Sequence, residues 1–328
     1  MRMKGLLQIL LSTLSIFLLT SCIHETYSPI SRDKAIVATV NIKDMTISFI
    51  DMANSQKLTD WKMKKPYSGG LILPDGDTLL LYGKQVDTID LYSLKEGKMV
   101  NSWDAGKGIV NGKLINNNHE LAFSDQFNHI VRFFNLKGKE MIDVKVEENP
   151  LTLLENKEKA QLDVISYSSE KMTTFDVRTK KVLKTVKIHP SAAGAMFLEE
   201  KNEIWIGGHG EGLEPEKYIH VYSGSGKFLR KVSAPVMPVN FLQYKNHIFV
   251  LSHGSSTLHK LNEDGSLMKS IKIGANPFEM LTINDKIIVA GYDSDDVHIV
   301  DPDSLSISKT IKVGKGPFQL IVREGQKK

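Results

Sequence analysis

The chain is poor in the residues that build covalent and redox chemistry. Cys22 is the only cysteine among 328 residues, so no internal disulfide is available and stability must come from packing and hydrogen bonds. The sequence has no His-Glu-x-x-His, no cysteine pair and no Gly-x-Ser-x-Gly segment, so no motif specifies a reaction. Acidic and basic residues nearly balance, with a net formal charge of +4. This balance argues against a nucleic-acid partner, which needs a concentrated basic surface.

A long apolar run opens the chain. Arg2 and Lys4 precede the run Gly5 to Leu18, which is too short to span a bilayer comfortably, and Leu19-Thr20-Ser21-Cys22 follows it. That ending resembles a bacterial lipobox. The resemblance implies cleavage before Cys22, a diacylglycerol on its sulfur, and a mature protein held in the lipid bilayer on the extracytoplasmic side of the cell membrane. An ordinary signal peptide or an uncleaved anchor is the alternative, but a lone thiol at this place is best explained as an acylation site.

The composition divides the chain into four parts. We expect a lipoprotein signal peptide over residues 1–21, the lipidated Cys22 with a tether over 22–33, one repetitive domain over 34–322, and a polar tail over 323–328. Without Arg2 and Lys4 the net formal charge of the mature chain is +2.

A repeat of about forty residues predicts the fold. The segment Ile271 to Phe278 recurs 40 residues later as Ile311 to Phe318, and a fixed period of this length is typical of repeat architectures. The runs between them are short, β-branched and bounded by turn residues, as strands are.

The third strand of each repeat can be followed through the whole domain. Its closing residues are Asp51, Tyr92, Asn135, Asp176, Tyr222, Asn262 and Asp301. Seven such strands predict an all-β, seven-bladed β-propeller with four strands in each blade. The first repeat lacks an inner strand and an extra one, Pro317 to Val322, follows the last repeat, so we expect the C-terminal strand to join the N-terminal blade and close the ring.

The junction Ile273-Gly274-x-x-Pro277 recurs as Val313-Gly314-x-x-Pro317, and Val289-Ala290-Gly291-Tyr292 and Val297 to Pro302 lie between the two. This unit resembles the YVTN-type β-propeller repeat of bacterial surface and periplasmic proteins. A pair of β-sandwiches is the competing fold, but sandwiches do not require a period near forty. An eight-bladed quinoprotein propeller is disfavoured because its repeated tryptophan signature is missing.

Candidate site residues lie on loops that a propeller gathers around one end of its central channel. Imidazoles at His189, His209 and His253 could hold a divalent metal or act as acid and base. Carboxylates at Glu211, Asp293 and Asp296 could supply oxygen ligands. Solvated loop histidines are the plainer interpretation of the same residues.

These features favour a binding or scaffolding module whose loop face takes a protein, a wall polymer or a small ligand. The alternative is a metal-dependent lyase or lactonase with the three histidines at its centre, by analogy with the propeller lyases and lactonases. A structural surface protein without a discrete ligand is the third possibility.

Overall fold

The structure, a computed structural model, describes residues 25–325. The signal peptide and the lipidated Cys22 expected from the sequence lie outside this range. Among residues 25–325, no helix is long and apolar enough to cross a membrane.

Strands dominate the described part of the chain. In chain order they are β1 (Ile36–Asn41), β2 (Thr46–Asp51), β3 (Gln56–Lys62), β4 (Gly69–Ile72), β5 (Thr78–Tyr82), β6 (Thr88–Ser93), β7 (Lys98–Asp104), β8 (Ile109–Ile115), β9 (Glu120–Asp125), β10 (Ile130–Asn135), β11 (Glu140–Lys145), β12 (Pro150–Asn156), β13 (Gln161–Ser166), β14 (Lys171–Asp176), β15 (Val182–Lys187), β16 (Ala192–Leu198), β17 (Glu203–Gly208), β18 (Gly210–Glu211), β19 (Glu214–Pro215), β20 (Tyr218–Ser223), β21 (Phe228–Ser233), β22 (Pro238–Tyr244), β23 (His247–Ser252), β24 (Thr257–Asn262), β25 (Leu267–Lys272), β26 (Pro277–Ile283), β27 (Lys286–Gly291), β28 (Asp296–Asp301), β29 (Ser306–Lys312) and β30 (Pro317–Arg323). One 3-10 turn, Glu199–Lys201, lies between β16 and β17.

Seven four-stranded antiparallel sheets form the blades of a β-propeller. Blade 1 contains β1 to β3, blade 2 begins at β4, and each later blade begins about forty residues after the one before it. This confirms the fold predicted from the repeat. Five of the seven third strands end at the residue that the repeat predicted, and the other two, β6 and β20, end one residue later.

The two ends of the chain share blade 1. β30 pairs antiparallel with β1, so that Ala38 faces Ile321, and supplies the inner strand that the first repeat lacks. The strand extends through Arg323, one residue beyond the segment expected from the sequence. Its guanidinium group donates to the carbonyl oxygens of Lys34 and Gly76, which ties the closing strand to blades 1 and 2.

The hydrophobic core lies between the blades. Side chains on both faces of the two middle strands of a blade are buried, as in β5 and β9, because each face packs against a neighbouring blade. The seven clusters of buried apolar residues each join two adjacent blades; for example, one joins Phe49 of blade 1 to Leu79 of blade 2. Outer strands such as β11 are mostly exposed.

The residues before β1 pack against blades 1 and 2. Ile30 is 2% exposed, and its N–H donates to the carbonyl oxygen of Leu94 at 2.7 Å. The Tyr27 ring stacks on Trp61 with ring centroids 4.9 Å apart, and the Trp61 indole N–H donates to the carbonyl oxygen of Ser28. The segment expected to be a tether is therefore, from Glu25 onward, part of the packed domain.

Aspartates close the third strands of several blades, as the sequence predicts. The carboxylates of Asp51, Asp176 and Asp301 accept backbone N–H groups two or three residues further along the chain. Each carboxylate thereby stabilises the turn into the outer strand.

Candidate ligand-binding site at the channel mouth

The loops that leave the second strands lie beside the junctions between blades. In four successive blades the loop and the junction are joined by the same kind of backbone hydrogen bond, from Tyr167 to Asn149, His209 to Ser191, His253 to Met237, and Asp293 to Ala275. These bonds place both sets of loops on one face of the ring, as the repeat predicts. We call this face the loop face.

A planar side chain follows the second strand in blades 4 to 7. Tyr167, His209, His253 and Tyr292 come directly after β13, β17, β23 and β27, respectively. Because the blades repeat, these four residues occupy equivalent places around the channel. Phe278 and Phe318, the second residues of the inner strands β26 and β30, lie beside them.

These six rings form a continuous arc. Successive ring centroids are 5.8 Å apart from Tyr167 to His209, 5.6 Å from His209 to His253, and 4.2 Å from His253 to Phe278. Phe278 then contacts Tyr292 at 5.3 Å and Phe318 at 5.4 Å. We call this set the aromatic arc. Ring pairs at such separations stabilise one another beyond the area that they bury.

The arc borders the entrance to the central channel. A cavity of about 330 Å³ opens there, lined by residues from the inner strands of six blades, by Ser68 just before the inner strand of blade 2, and by His209. A second cavity of about 410 Å³ continues along the channel. The two share a polar belt of Asn111, Asn240, Glu279 and Gln319. The first cavity falls near the lower end of the size range of small-ligand pockets.

Glu279 is the acidic member of the polar belt. Its carboxyl group accepts the N–H of Leu320 at 2.8 Å, while burial in the channel raises its pKa to about 8. The side chain is therefore largely protonated at neutral pH, and it can donate a hydrogen bond into the channel as well as accept one. The belt offers hydrogen bonding without a strong negative charge.

The two histidines of the arc are neutral at neutral pH. Burial lowers the pKa of His209, and burial together with the proximity of His209 lowers that of His253. The Nδ1 atoms of both rings are buried and have no hydrogen-bond partner within residues 25–325. Such atoms cost stability unless something else satisfies them.

His189 lies in a different group from His209 and His253. Its ring stacks on His220 with centroids 3.8 Å apart and planes 13° from parallel. The His220 Nε2 atom lies 3.0 Å from a carboxylate oxygen of Glu216. His189, Glu216 and His220 form what we call the His–Glu cluster. Burial, and the neighbouring His220, lower the pKa of His189 to about 3.

The three acidic candidates are dispersed. Glu211 is exposed in the hairpin formed by β18 and β19. Asp293 lies at the edge of the arc, where its carboxylate pairs with Lys43 at 2.7 Å; that lysine also lies over the Tyr292 ring. Asp296 is buried in blade 7 beside His298 and Lys312.

Phe278, Phe318 and Glu279, which form much of the site, are not among the site residues that the sequence predicts. The two phenylalanines are the last residues of the repeated segment, and their recurrence there is explained by the repeat alone. Glu216 and His220 are also absent from the site residues that the sequence predicts. His220 occupies the same third-strand position as His298, three residues before the strand's end, and this correspondence was the available signal.

Comparison with known structures supports the fold. The chain is similar to a functionally unknown protein from Desulfotomaculum acetoxidans, with a TM-score of 0.73, 12% identity, and coverage of 89% of this chain and 99% of that one. It is also similar to the dihydro-heme d1 dehydrogenase NirN in complex with DHE, with a TM-score of 0.65, 10% identity, and coverage of 90% and 66%. Apo AztD from Citrobacter koseri gives a TM-score of 0.60, 14% identity, and coverage of 90% and 98%. No family model matches the sequence, and no curated protein does.

Proposed function

We propose that this protein is a membrane-anchored, extracytoplasmic binding propeller that takes a small neutral ligand at the channel mouth. The ligand has a flat apolar face, which packs on the aromatic arc, and hydrogen-bonding groups at one end, which reach the polar belt. Sugar units have both properties. The aromatic arc, whose rings His209, Phe278 and Phe318 line the 330 Å³ cavity, is the observation that carries this proposal.

The charge distribution favours a neutral ligand. Burial lowers the pKa values of His209 and His253 and raises that of Glu279. The arc and the belt are therefore both largely uncharged at neutral pH. Asp293, which directly follows Tyr292 of the arc, is already paired with Lys43. Amide and protonated carboxyl groups suit hydroxyl and amide partners.

The proposed membrane anchor depends on the segment Leu19-Thr20-Ser21-Cys22, which resembles a lipobox. A diacyl group would hold the domain firmly in the outer leaflet, because each buried CH₂ contributes about 0.8 kcal/mol. The packed residues Glu25 to Ile30 would leave only a short link between the lipid and the ring. Cys22→Ser should release the protein from the membrane fraction and abolish labelling by a palmitate analogue, whereas Ser28→Ala, further along the same segment, should change neither.

The binding half can be tested with defined probes. We would titrate the chain from Ile23 onward, which contains every strand of the ring, with N,N′-diacetylchitobiose and separately with indole, using ligand-observed NMR. We expect saturable binding of the disaccharide that is weakened about tenfold or more in Phe278→Ala, because truncation removes one face of the arc. Phe127→Ala is the matched control, since Phe127 is an exposed loop phenylalanine outside the arc.

The outcomes separate the interpretations. If indole binds and the disaccharide does not, the aromatic arc remains the proposed binding surface and the polar belt does not contribute to binding. Equal binding by the parent, Phe278→Ala and Phe127→Ala would place the ligand elsewhere and overturn the proposed site. No saturable binding of either probe would overturn the proposed ligand chemistry.

A further inference from the structure

The His–Glu cluster brings together three side chains of the types that ligate metals, away from the channel mouth. His189, Glu216 and His220 each present one ligand atom, and these atoms all lie within 4.8 Å of one another. The two histidines are each 6% exposed, and the Glu216 side chain is 13% exposed. They come from three places in blade 5: the junction before β16, the residue after the β18–β19 hairpin, and the middle of β20.

Backbone groups already orient the carboxylate. The N–H groups of Lys217 and Tyr218 both donate to the Oε1 atom of Glu216, each at 2.9 Å. This leaves Oε2 as the atom that faces His220. Outer partners that fix a carboxylate in this way are characteristic of metal ligands.

His189 supplies a second, independent observation. Its Nε2 atom is buried and has no hydrogen-bond partner among the described residues. The other ring nitrogen, Nδ1, lies 3.5 Å from the Tyr222 hydroxyl, and that hydroxyl accepts the backbone N–H of His189 at 3.0 Å. The neighbours of the His189 ring thus hold it in place, while its Nε2 atom remains buried without a partner and could ligate a metal ion.

We infer that the His–Glu cluster is a binding site for Zn²⁺ or a divalent cation of similar preference. Two imidazoles and one carboxylate are a donor set that zinc favours, whereas magnesium and calcium favour oxygen ligands alone. Neutral imidazole is the form that binds a metal.

The stacked rings of His189 and His220 must move relative to each other if both are to bind one metal ion. A metal ion lies near the plane of the imidazole that ligates it. Two rings stacked 3.8 Å apart and 13° from parallel cannot both point a nitrogen at one ion. One ring must therefore rotate, and the stack must open, when the ion binds.

Isothermal titration with ZnCl₂, after chelator treatment and dialysis, tests the inference on the chain from Ile23 onward. We expect one Zn²⁺ per chain, and at least about tenfold weaker binding in His220→Asn and in Glu216→Gln. Glu216→Gln keeps the shape of the side chain and an oxygen for the two N–H groups, so it separates loss of a ligand from loss of the fold. Circular dichroism and thermal melting of each variant would accompany the titration.

His298→Asn is the matched control. His298 is buried, lies 3.0 Å from the carboxylate of Asp296 and occupies the third-strand position equivalent to that of His220, so its replacement should leave zinc affinity unchanged. His209→Asn should also leave it unchanged, because His209 belongs to the aromatic arc. Loss of zinc in His209→Asn with retention in His220→Asn would move the ion to the arc and overturn the inference. Absence of stoichiometric binding to the folded parent would overturn it as well.

Discussion

The backbone N–H of Glu216 donates to the carbonyl oxygen of His209 at 3.0 Å. This bond closes the root of the β18–β19 hairpin, so one hairpin separates a residue of the aromatic arc from a residue of the His–Glu cluster. The hairpin is therefore the structural element shared by the two candidate sites.

Gly210→Ala should open the hairpin root. Gly210 has a φ of +103°, and an added Cβ would meet the carbonyl oxygen of Glu214 at 2.1 Å. We expect the Glu216 amide to exchange with solvent at least about tenfold faster in this variant, because strain of this kind costs about 1–3 kcal/mol. Hydrogen exchange followed by mass spectrometry measures the rate. Gly212→Ala, at the hairpin tip, is the matched control: its φ of +59° is also positive, but its Cβ would meet nothing within 4 Å, so it carries the backbone strain without the clash at the root. Equal effects of the two changes would show that the root bond does not hold the hairpin.

Glu279→Gln should flatten one part of the pH dependence of stability. The folded pKa is raised to about 8 from an ordinary value of 4.5, so between these values the folded state binds the extra proton and the parent loses stability as the pH rises. The slope is about 1.4 kcal/mol per pH unit at most. The variant should therefore gain stability relative to the parent from pH 5 to pH 8, measured by urea unfolding. Glu211→Gln, at an exposed site, should run parallel to the parent, and a parallel curve for Glu279→Gln would contradict the protonated channel carboxyl.

His189→Asn should change the pH dependence of stability in the opposite sense to Glu279→Gln. The folded pKa of His189 is lowered to about 3 from 6.5, so between these values the unfolded state binds the extra proton and the parent loses stability as the pH falls. In metal-free buffer the variant should gain stability relative to the parent from pH 6.5 down to pH 4. The exposed His119→Asn serves as the control in the same urea titrations. A relative gain toward alkaline pH would contradict a buried neutral imidazole.

Repeat spacing was sufficient to predict the blades but not which side chains meet. The period placed His189, His209 and His253 on the loop face, yet the direction of a side chain from a blade junction depends on local packing, and the His189 ring turns toward His220 in its own blade. Glu279 and Gln319 carry no sequence signal beyond their position two residues after a repeated proline. Their importance comes from the closure of seven inner strands around one axis, a relationship that no single repeat contains.

Ile30→Ala should destabilise the whole propeller by about 2–4 kcal/mol. Ile30 is 2% exposed and belongs to the apolar cluster between blades 1 and 2, and truncation of such a side chain leaves a cavity. Ile307, on the outer strand of blade 7, is 42% exposed, so Ile307→Ala should cost less than about 0.5 kcal/mol. Urea unfolding measures both. Similar small losses would show that the N-terminal segment adds nothing to stability.

The pairing of β30 with β1 also determines when during synthesis the protein can be finished. Blade 1 begins with the first of the strands described within residues 25–325 and is completed by the last of them, Pro317–Arg323, so residues up to Arg323 must leave the ribosome before the ring can close. Until β30 is synthesised, the edge of β1 that pairs with it has no partner strand. Messages truncated anywhere before codon 317 would consequently yield an unclosed product, whichever of the other six blades they encode.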